Sequence, residues 1–288
     1  MVKAENKKTD KKETLLEKTE SISSGFKSSY LILFIIFVVI SLSFVAYKRN
    51  AAWKDDLQLW GDVIGKSLNK ARGYNNLGMT YYEQGQSNEA FKAYMTALRL
   101  KSNFSHAHYN LGLFYHEQGE LYKAIEEYRI ALQLKPNYVR AHNNLGNVYY
   151  KQNRFADAMK EYLAALKIEP DNPMTYNNLG VAYDEQGRAD EAIQQYLKAL
   201  KFQPDNAEAY NNLGIVYYNQ GRLDEAIEKF QMAMRIKPNY VDAHYNLAFA
   251  YQKKGFTQRA KKEFEEVLKL KPDDSEARQA LEVLRKEP

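Results

Sequence analysis

From residue 71 onward the sequence repeats every 34 residues, which restricts it to a row of similar units that bury their apolar faces against one another. Leu-Gly recurs at Leu77-Gly78, Leu111-Gly112, Leu145-Gly146, Leu179-Gly180 and Leu213-Gly214, with Leu247-Ala248 sixth. A tyrosine follows at Tyr81, Tyr115, Tyr149, Tyr183, Tyr217 and Tyr251, and an alanine at Ala90, Ala124, Ala158, Ala192, Ala226 and Ala260. A second aromatic stands at Tyr94, Tyr128, Tyr162, Tyr196, Phe230 and Phe264, and a small packing residue at Ala97, Ala131, Ala165, Ala199, Ala233 and Val267. Counting Ala71 as place 1, Leu-Gly takes places 7 and 8 of each unit.

Each unit holds two runs of helical periodicity separated by Gly85, Gly119, Gly187, Gly221 or Gly255, with Asn153 as the tolerated substitute in the third. This predicts two helices joined by a left-handed turn. Glycine inside a helix costs about 1 kcal/mol relative to alanine, so the glycines at place 8 are expected where the second helix of the unit crosses close to the backbone. Pro136, Pro170, Pro204, Pro238 and Pro272 stop the second helices, because proline cannot continue them. The units are then helical hairpins over 71–104, 105–138, 139–172, 173–206, 207–240 and 241–274, stacked as an all-α solenoid. Ahead of them, in 48–70, Trp53, Leu57, Trp60, Ile64 and Leu68 share one helical face and predict a lone capping helix. Behind them 275–288 begins another first helix, with Ala277 and Leu281 in register and Glu282 in place of the packing glycine.

These residues resemble the tetratricopeptide pattern W-x2-L-G-x2-Y, then A-x3-F, then P, over Ala71 to Asp274 in six registers. The resemblance implies a right-handed α-solenoid whose first helices line a concave groove, and a protein that binds other proteins rather than catalysing a reaction.

One series is not required by packing. Asn76, Asn110, Asn144, Asn178, Asn212 and Asn246 precede every place-7 leucine, although asparagine is a poor helix former. Its amide offers both donors and an acceptor, so a row of them suits the backbone of an extended peptide, whereas the alternative is hydrogen bonding between repeats. The series is similar to the asparagine ladder in the repeats of O-GlcNAc transferases, though no glycosyltransferase domain follows. By the same family likeness, Asn75, Tyr109, Asn143, Asn177, Asn211 and Tyr245 neighbour the groove, with Tyr82, His116, Tyr150 and Tyr218 a turn further on. Chaperone-binding members of the family carry lysine at the fifth place, which is never lysine here, so binding of chaperone C-termini is disfavoured.

No other chemistry is legible. The chain has no cysteine, which excludes disulfides, thiolate nucleophiles and cysteine metal sites. His108, His142 and His244 stand where Tyr74, Tyr176 and Tyr210 stand in the other units, as packing substitutes. His106 and His116 are not spaced to share a metal on one helical face. Nucleotide and hydrolase motifs are absent, so no catalytic residue, metal or cofactor is expected. The formal charge is +5 and lysines and arginines interleave with acids, which gives no nucleic-acid footprint. The 23 tyrosines fall mostly at packing places.

Residues 1–29 carry seven lysines and five acids without helical periodicity and read as a disordered charged tail. Tyr30 to Tyr47 has eighteen uncharged residues, thirteen of them Leu, Ile, Val or Phe, and reads as a transmembrane helix of roughly 27 Å, an uncleaved anchor. Its flanks are balanced, Lys11, Lys12, Lys18 and Lys27 against Lys48, Arg49, Lys54 and Lys66, and only the far tail favours a cytoplasmic N-terminus. The junction Arg49-Asn50-x-x-Trp53, Leu59-Trp60 and Asn69-x-Ala71-Arg72 resembles that of polytopic tetratricopeptide proteins related to protein O-mannosyltransferases, which implies repeats outside the cytoplasm. The expected function is a membrane-anchored interaction scaffold. Alternatives are an accessory, non-catalytic subunit of a membrane enzyme such as a glycosyltransferase complex, or a self-assembling homo-oligomeric lattice.

Overall fold

The computed structural model describes residues 56–66 and 70–286, together with the single positions Val39 and Ser43. The expected tail (1–29) and membrane helix (30–47) therefore lie outside the described residues but for those two positions, as do Trp53 and Leu68. Among the described residues no helix is long and apolar enough to cross a membrane.

Fourteen helices and no strand are described. A lone α1 (Asp56–Lys66) precedes six hairpins: α2 (Ala71–Glu83) with α3 (Ser87–Leu100), α4 (Ser105–Glu117) with α5 (Leu121–Leu134), and α6 (Val139–Lys151) with α7 (Phe155–Ile168). Then come α8 (Pro173–Asp184) with α9 (Ala189–Phe202), α10 (Ala207–Asn219) with α11 (Leu223–Ile236), and α12 (Val241–Lys253) with α13 (Thr257–Leu270). The lone α14 (Ser275–Lys286) closes the row. It buries Ala277, Leu281 and Leu284 against the last hairpin and leaves Glu282 exposed.

Each hairpin turns on one residue in the left-handed region, such as Gly85 at φ 74° and Asn153 at φ 57°. At the first turn the Gln86 N–H donates to the Tyr81 carbonyl at 2.8 Å and Gly85 N–H to Tyr82 at 3.0 Å, a pair of bonds that satisfies carbonyls the helix end would leave open. Inside the hairpin the place-8 glycine receives an aromatic ring. A Cβ built on Gly78 would stand 2.5 Å from the Tyr94 ring, and one on Gly146 at the same distance from Tyr162. The close approach expected of the second helix is thus made by its buried aromatic side chain, laid on the backbone of the first.

Successive repeats are joined by bonds that return at fixed places. At place 4, His142 bridges three segments: its Nδ1 lies 2.7 Å from the Glu161 carboxylate on its own second helix, and its Nε2 is 3.0 Å from the Pro136 carbonyl of the preceding repeat. His108 does the same with Glu127 and Ser102, and His244 with Glu263 and Pro238. These histidines pack as expected, but both ring nitrogens also face acceptors. Where Tyr176 takes the place, its hydroxyl donates to the Pro170 carbonyl at 2.9 Å, and on α14 the Arg278 guanidinium reaches Pro272.

Candidate functional site: the inner face of the solenoid

First helices touch the first helices of neighbouring repeats, α2 to α4, α4 to α6 and on to α12, while second helices do not approach each other to the same extent. A row of wedges closer at one edge curves toward that edge, so the first helices form the inner face. Places 2, 5, 6, 9, 12 and 13 lie three or four residues apart and share that side.

The asparagines of place 6 are spent in part between repeats. Asn110 Nδ2 donates to Asn75 Oδ1 at 2.9 Å, Asn144 to the Tyr109 hydroxyl at 3.0 Å, Asn212 to Asn177 at 3.2 Å and Asn246 to Asn211 at 2.9 Å. The rule is that place 6 donates to place 5 of the repeat before. It breaks once: Asn178 donates instead to Asn147 Oδ1 at 3.2 Å, which also accepts the Tyr162 hydroxyl at 2.7 Å. In the other repeats place 9 is Met79, Leu113, Val181, Ile215 or Phe249, none of which offers an oxygen acceptor. The diversion leaves Asn143 Oδ1 buried with no partner.

Place 5 lies deeper than the sequence expectation put it. Asn75, Tyr109, Asn143, Asn177 and Asn211 are at most 8% exposed, whereas Tyr245 is half-buried. Place 6 is half-buried at Asn76, Asn144, Asn178, Asn212 and Asn246, and Asn110 is buried. The fifth-place residues therefore form a back row that fixes the sixth.

A turn further on, Tyr82, His116, Tyr150 and Tyr218 are all half-buried. The Tyr82 hydroxyl donates to Glu117 in the next repeat, and Tyr150 to Glu185 at 2.9 Å. Burial, and then the Glu185 bond, push the Tyr150 hydroxyl up to about 12, so it remains a donor. Lys253 lies over the Tyr218 ring at 4.4 Å. The His116 ring is held below its ordinary value by burial and by nearby Lys151, and its Nε2 has no partner. Among the described residues no His, Asp and Glu side chains are grouped to hold a metal ion.

The linear reading missed the first row. Place 2 runs Arg72, His106, Arg140, Met174, Glu208, Asp242 and Glu276, all exposed. Glu208 accepts from Asn177 Nδ2 at 3.2 Å and Glu276 from the Tyr245 hydroxyl at 2.9 Å, so place 2 lies against place 5 of the preceding repeat, at the groove edge. Charges that interleave along the chain are sorted along this edge, and stacking the six registers would have revealed it.

The comparisons with known proteins agree with this architecture. A family model described as the Cilia and flagella-associated protein 70 C-terminal domain, a TPR domain, matches residues 104–287, and one described as TPR repeat matches 78–119. This chain belongs to that tetratricopeptide repeat family. No curated protein matches it in sequence. Among solved structures, the TPR array is similar to a chain of the APC/C hetero-tetramer Cut9-Hcn1, with 21% identity and a TM-score of 0.69 over 81% of this chain. It spans 46% of that chain. Pseudomonas aeruginosa PilF shares 19% identity, with a TM-score of 0.65 over 76% of this chain and 97% of its own. YrrB, described as a TPR protein with an unusual peptide-binding site, shares 23%, with 0.52 over 67% of this chain and 99% of its own. Such likenesses establish the TPR fold, which serves many functions.

Proposed function

We propose that this TPR protein is a membrane-anchored scaffold that holds an extended segment of another protein along its inner face. The observation that carries the reading is the continuous half-exposed amide row Asn144, Asn178, Asn212 and Asn246, fixed from behind by bonds to the preceding repeat. Each ladder bond uses one amide hydrogen and leaves the other hydrogen and the carbonyl oxygen, the two groups that an extended backbone complements. Tyr82, Tyr150 and Tyr218 supply adaptable contacts beside the row. The peptide-binding site described for YrrB supports the reading by likeness of fold.

The test is panning of displayed random peptides against the full chain and against a Tyr150→Ala, Tyr218→Ala variant of unchanged helicity. Peptides enriched on the first and lost on the second are expected; enrichment indifferent to both substitutions would sink the groove reading. The anchor is assigned to 30–47 with the repeats outside the cytoplasm, and protease protection of the repeats in sealed inverted vesicles checks it. Digestion there would reverse the orientation.

A second reading is favoured by the outer face. Leu163 and Leu197 stand exposed at place 25 of adjacent repeats, on their second helices, an apolar pair suited to a second copy or to a membrane enzyme. Sedimentation above monomer mass, abolished by Leu163→Glu with Leu197→Glu, is its expected mark.

A further inference from the structure

We infer that the inner groove selects a partner segment of sorted charge, with an acidic stretch seated on the first three repeats and a basic stretch on the fifth repeat onward. The inference rests on the reading of the inner face as a binding groove and adds what that groove prefers.

Its basis is the place-2 edge. Arg72 and Arg140 lie at the N-terminal end, and Glu208, Asp242 and Glu276 at the other, with the exposed Met174 between. Among the described residues none of these five charges makes an ion pair; Glu208 and Glu276 have only neutral donors, Asn177 and Tyr245. At the starts of second helices the solenoid pairs its charges. Arg154, Arg188 and Arg222 at the starts of second helices each meet a carboxylate three residues on, at Asp157, Glu191 and Glu225. Along the edge, Glu208, Asp242 and Glu276 stand in successive repeats and Arg72 and Arg140 on either side of His106, an arrangement of like charges that adds nothing to stability and leaves them open to a ligand.

The charges across the groove oppose this polarity only in part, because most of them are engaged by tyrosines. His106, between the two arginines, is kept below its ordinary value by burial and by Lys135 and Arg72, so the cations of that end are the arginines with Lys135 behind them. The opposite edge, place 13, is mixed in sign, with Glu83, Glu117, Lys151, Glu185, Asn219 and Lys253; Glu117 and Glu185 accept bonds from Tyr82 and Tyr150, and Lys253 lies over the Tyr218 ring. Between the two charged ends, in the row behind the amides, lies the buried acceptor Asn143 Oδ1, which has no hydrogen-bond partner.

Spacing sets the ligand. First helices side by side at about 8–10 Å, and an extended chain advancing roughly 3.3 Å per residue, put about six residues between the groups facing Arg140 and Glu208. The fitting ligand is an extended protein segment with acidic residues, about six neutral ones, then basic residues, in either chain direction.

The experiment compares two fluorescent 16-residue peptides of identical composition on the full chain, one with acidic and basic blocks at opposite ends and one with the charges interleaved. The block peptide is expected to bind roughly tenfold tighter, with the advantage shrinking as salt shortens electrostatic reach. Arg72→Glu with Arg140→Glu, or Glu208→Lys with Asp242→Lys, should each erase the advantage. All four together should restore it, and a photocrosslinker on the acidic block should move from the first repeats to the fifth. Equal binding of both peptides, lost in the Tyr150→Ala, Tyr218→Ala variant, would overturn the charge preference while leaving the groove. Binding of neither would overturn both.

Discussion

The junctions that lead into the second, third and sixth repeats are fastened differently from those that lead into the fourth and fifth. In the first kind place 34 of the preceding repeat is aromatic, Phe104, Tyr138 or Tyr240, and a lysine three residues earlier lies over the ring, as Lys135 does over Tyr138 at 4.4 Å. The next first helix has no side-chain cap and is held by the bridging His108, His142 or His244 with its glutamate. In the second kind place 34 is Asn172 or Asn206, whose side chain caps the next helix by accepting from Thr175 or Ala209 N–H at 3.0 Å. A tyrosine then stands at place 4, with Gln195 or Lys229 where the glutamate would be. Two hydrogen-bond sets thus produce the same 34-residue step. One contains a histidine–carboxylate bridge, with the histidine pKa raised at His108 and His142, and the other an asparagine cap.

The comparison breaks most readily at the glutamate. Glu161→Ala leaves the His142 ring half-buried without its carboxylate and is expected to cost about 2 kcal/mol, read as faster hydrogen exchange across α6 and α7. The corresponding Gln195→Ala in the fourth repeat should stay within about 0.5 kcal/mol, since Gln195 bonds only to its own helix at Glu191. Equal costs would mean that the bridge holds nothing. Next, Asn172→Ala removes a cap and should cost about 1 kcal/mol in the first turn of α8, an effect with no counterpart at Tyr138.

A smaller difference should come from pH alone. In His108 and His142 burial lowers the pKa, but the bond to the glutamate, the backbone carbonyl and the carboxylate charge outweigh it and leave the pKa raised. A raised folded pKa gives stability that is complete below the unfolded value of about 6.5 and is lost as pH rises through the folded value. Because opposing contributions largely cancel, the loss is modest. Exchange protection corrected for intrinsic rate should fall in α4 to α7 between pH 6 and pH 8 and hold in α8 to α11. A uniform change across all repeats would refute the distinction. The smallest effect is expected from exchanging one junction for the other: His142→Tyr with Glu161→Gln should keep stability within about 1 kcal/mol and remove the pH response of the third repeat only.

Much of this was legible in the chain. The period, the left-handed residue Asn153 and the glycines of place 8 could be read because each answers a steric demand that recurs in every unit. The glutamate partners of the histidines also lay in view, each nineteen residues on, but the offset means nothing until the crossing of the two helices is known. Asn147 carries no signal in the linear sequence, because its competition for Asn178 is a matter of reach across a repeat boundary. The sorted edge from Arg72 to Glu276 hid in the linear sequence because its members stand 34 residues apart, with charges of both signs between them.

The most direct test of an inner-face scaffold is a photocrosslinking residue placed, in separate full-length variants, at Met174 on the inner edge and at Leu197 on the outer face of the same repeat. These side chains are similarly exposed, 54% and 49%, so accessibility does not bias the result. In native membranes the account predicts crosslinks to a partner protein from Met174 and none to that partner from Leu197. Crosslinks from Leu197 alone would contradict it and place binding on the outer face.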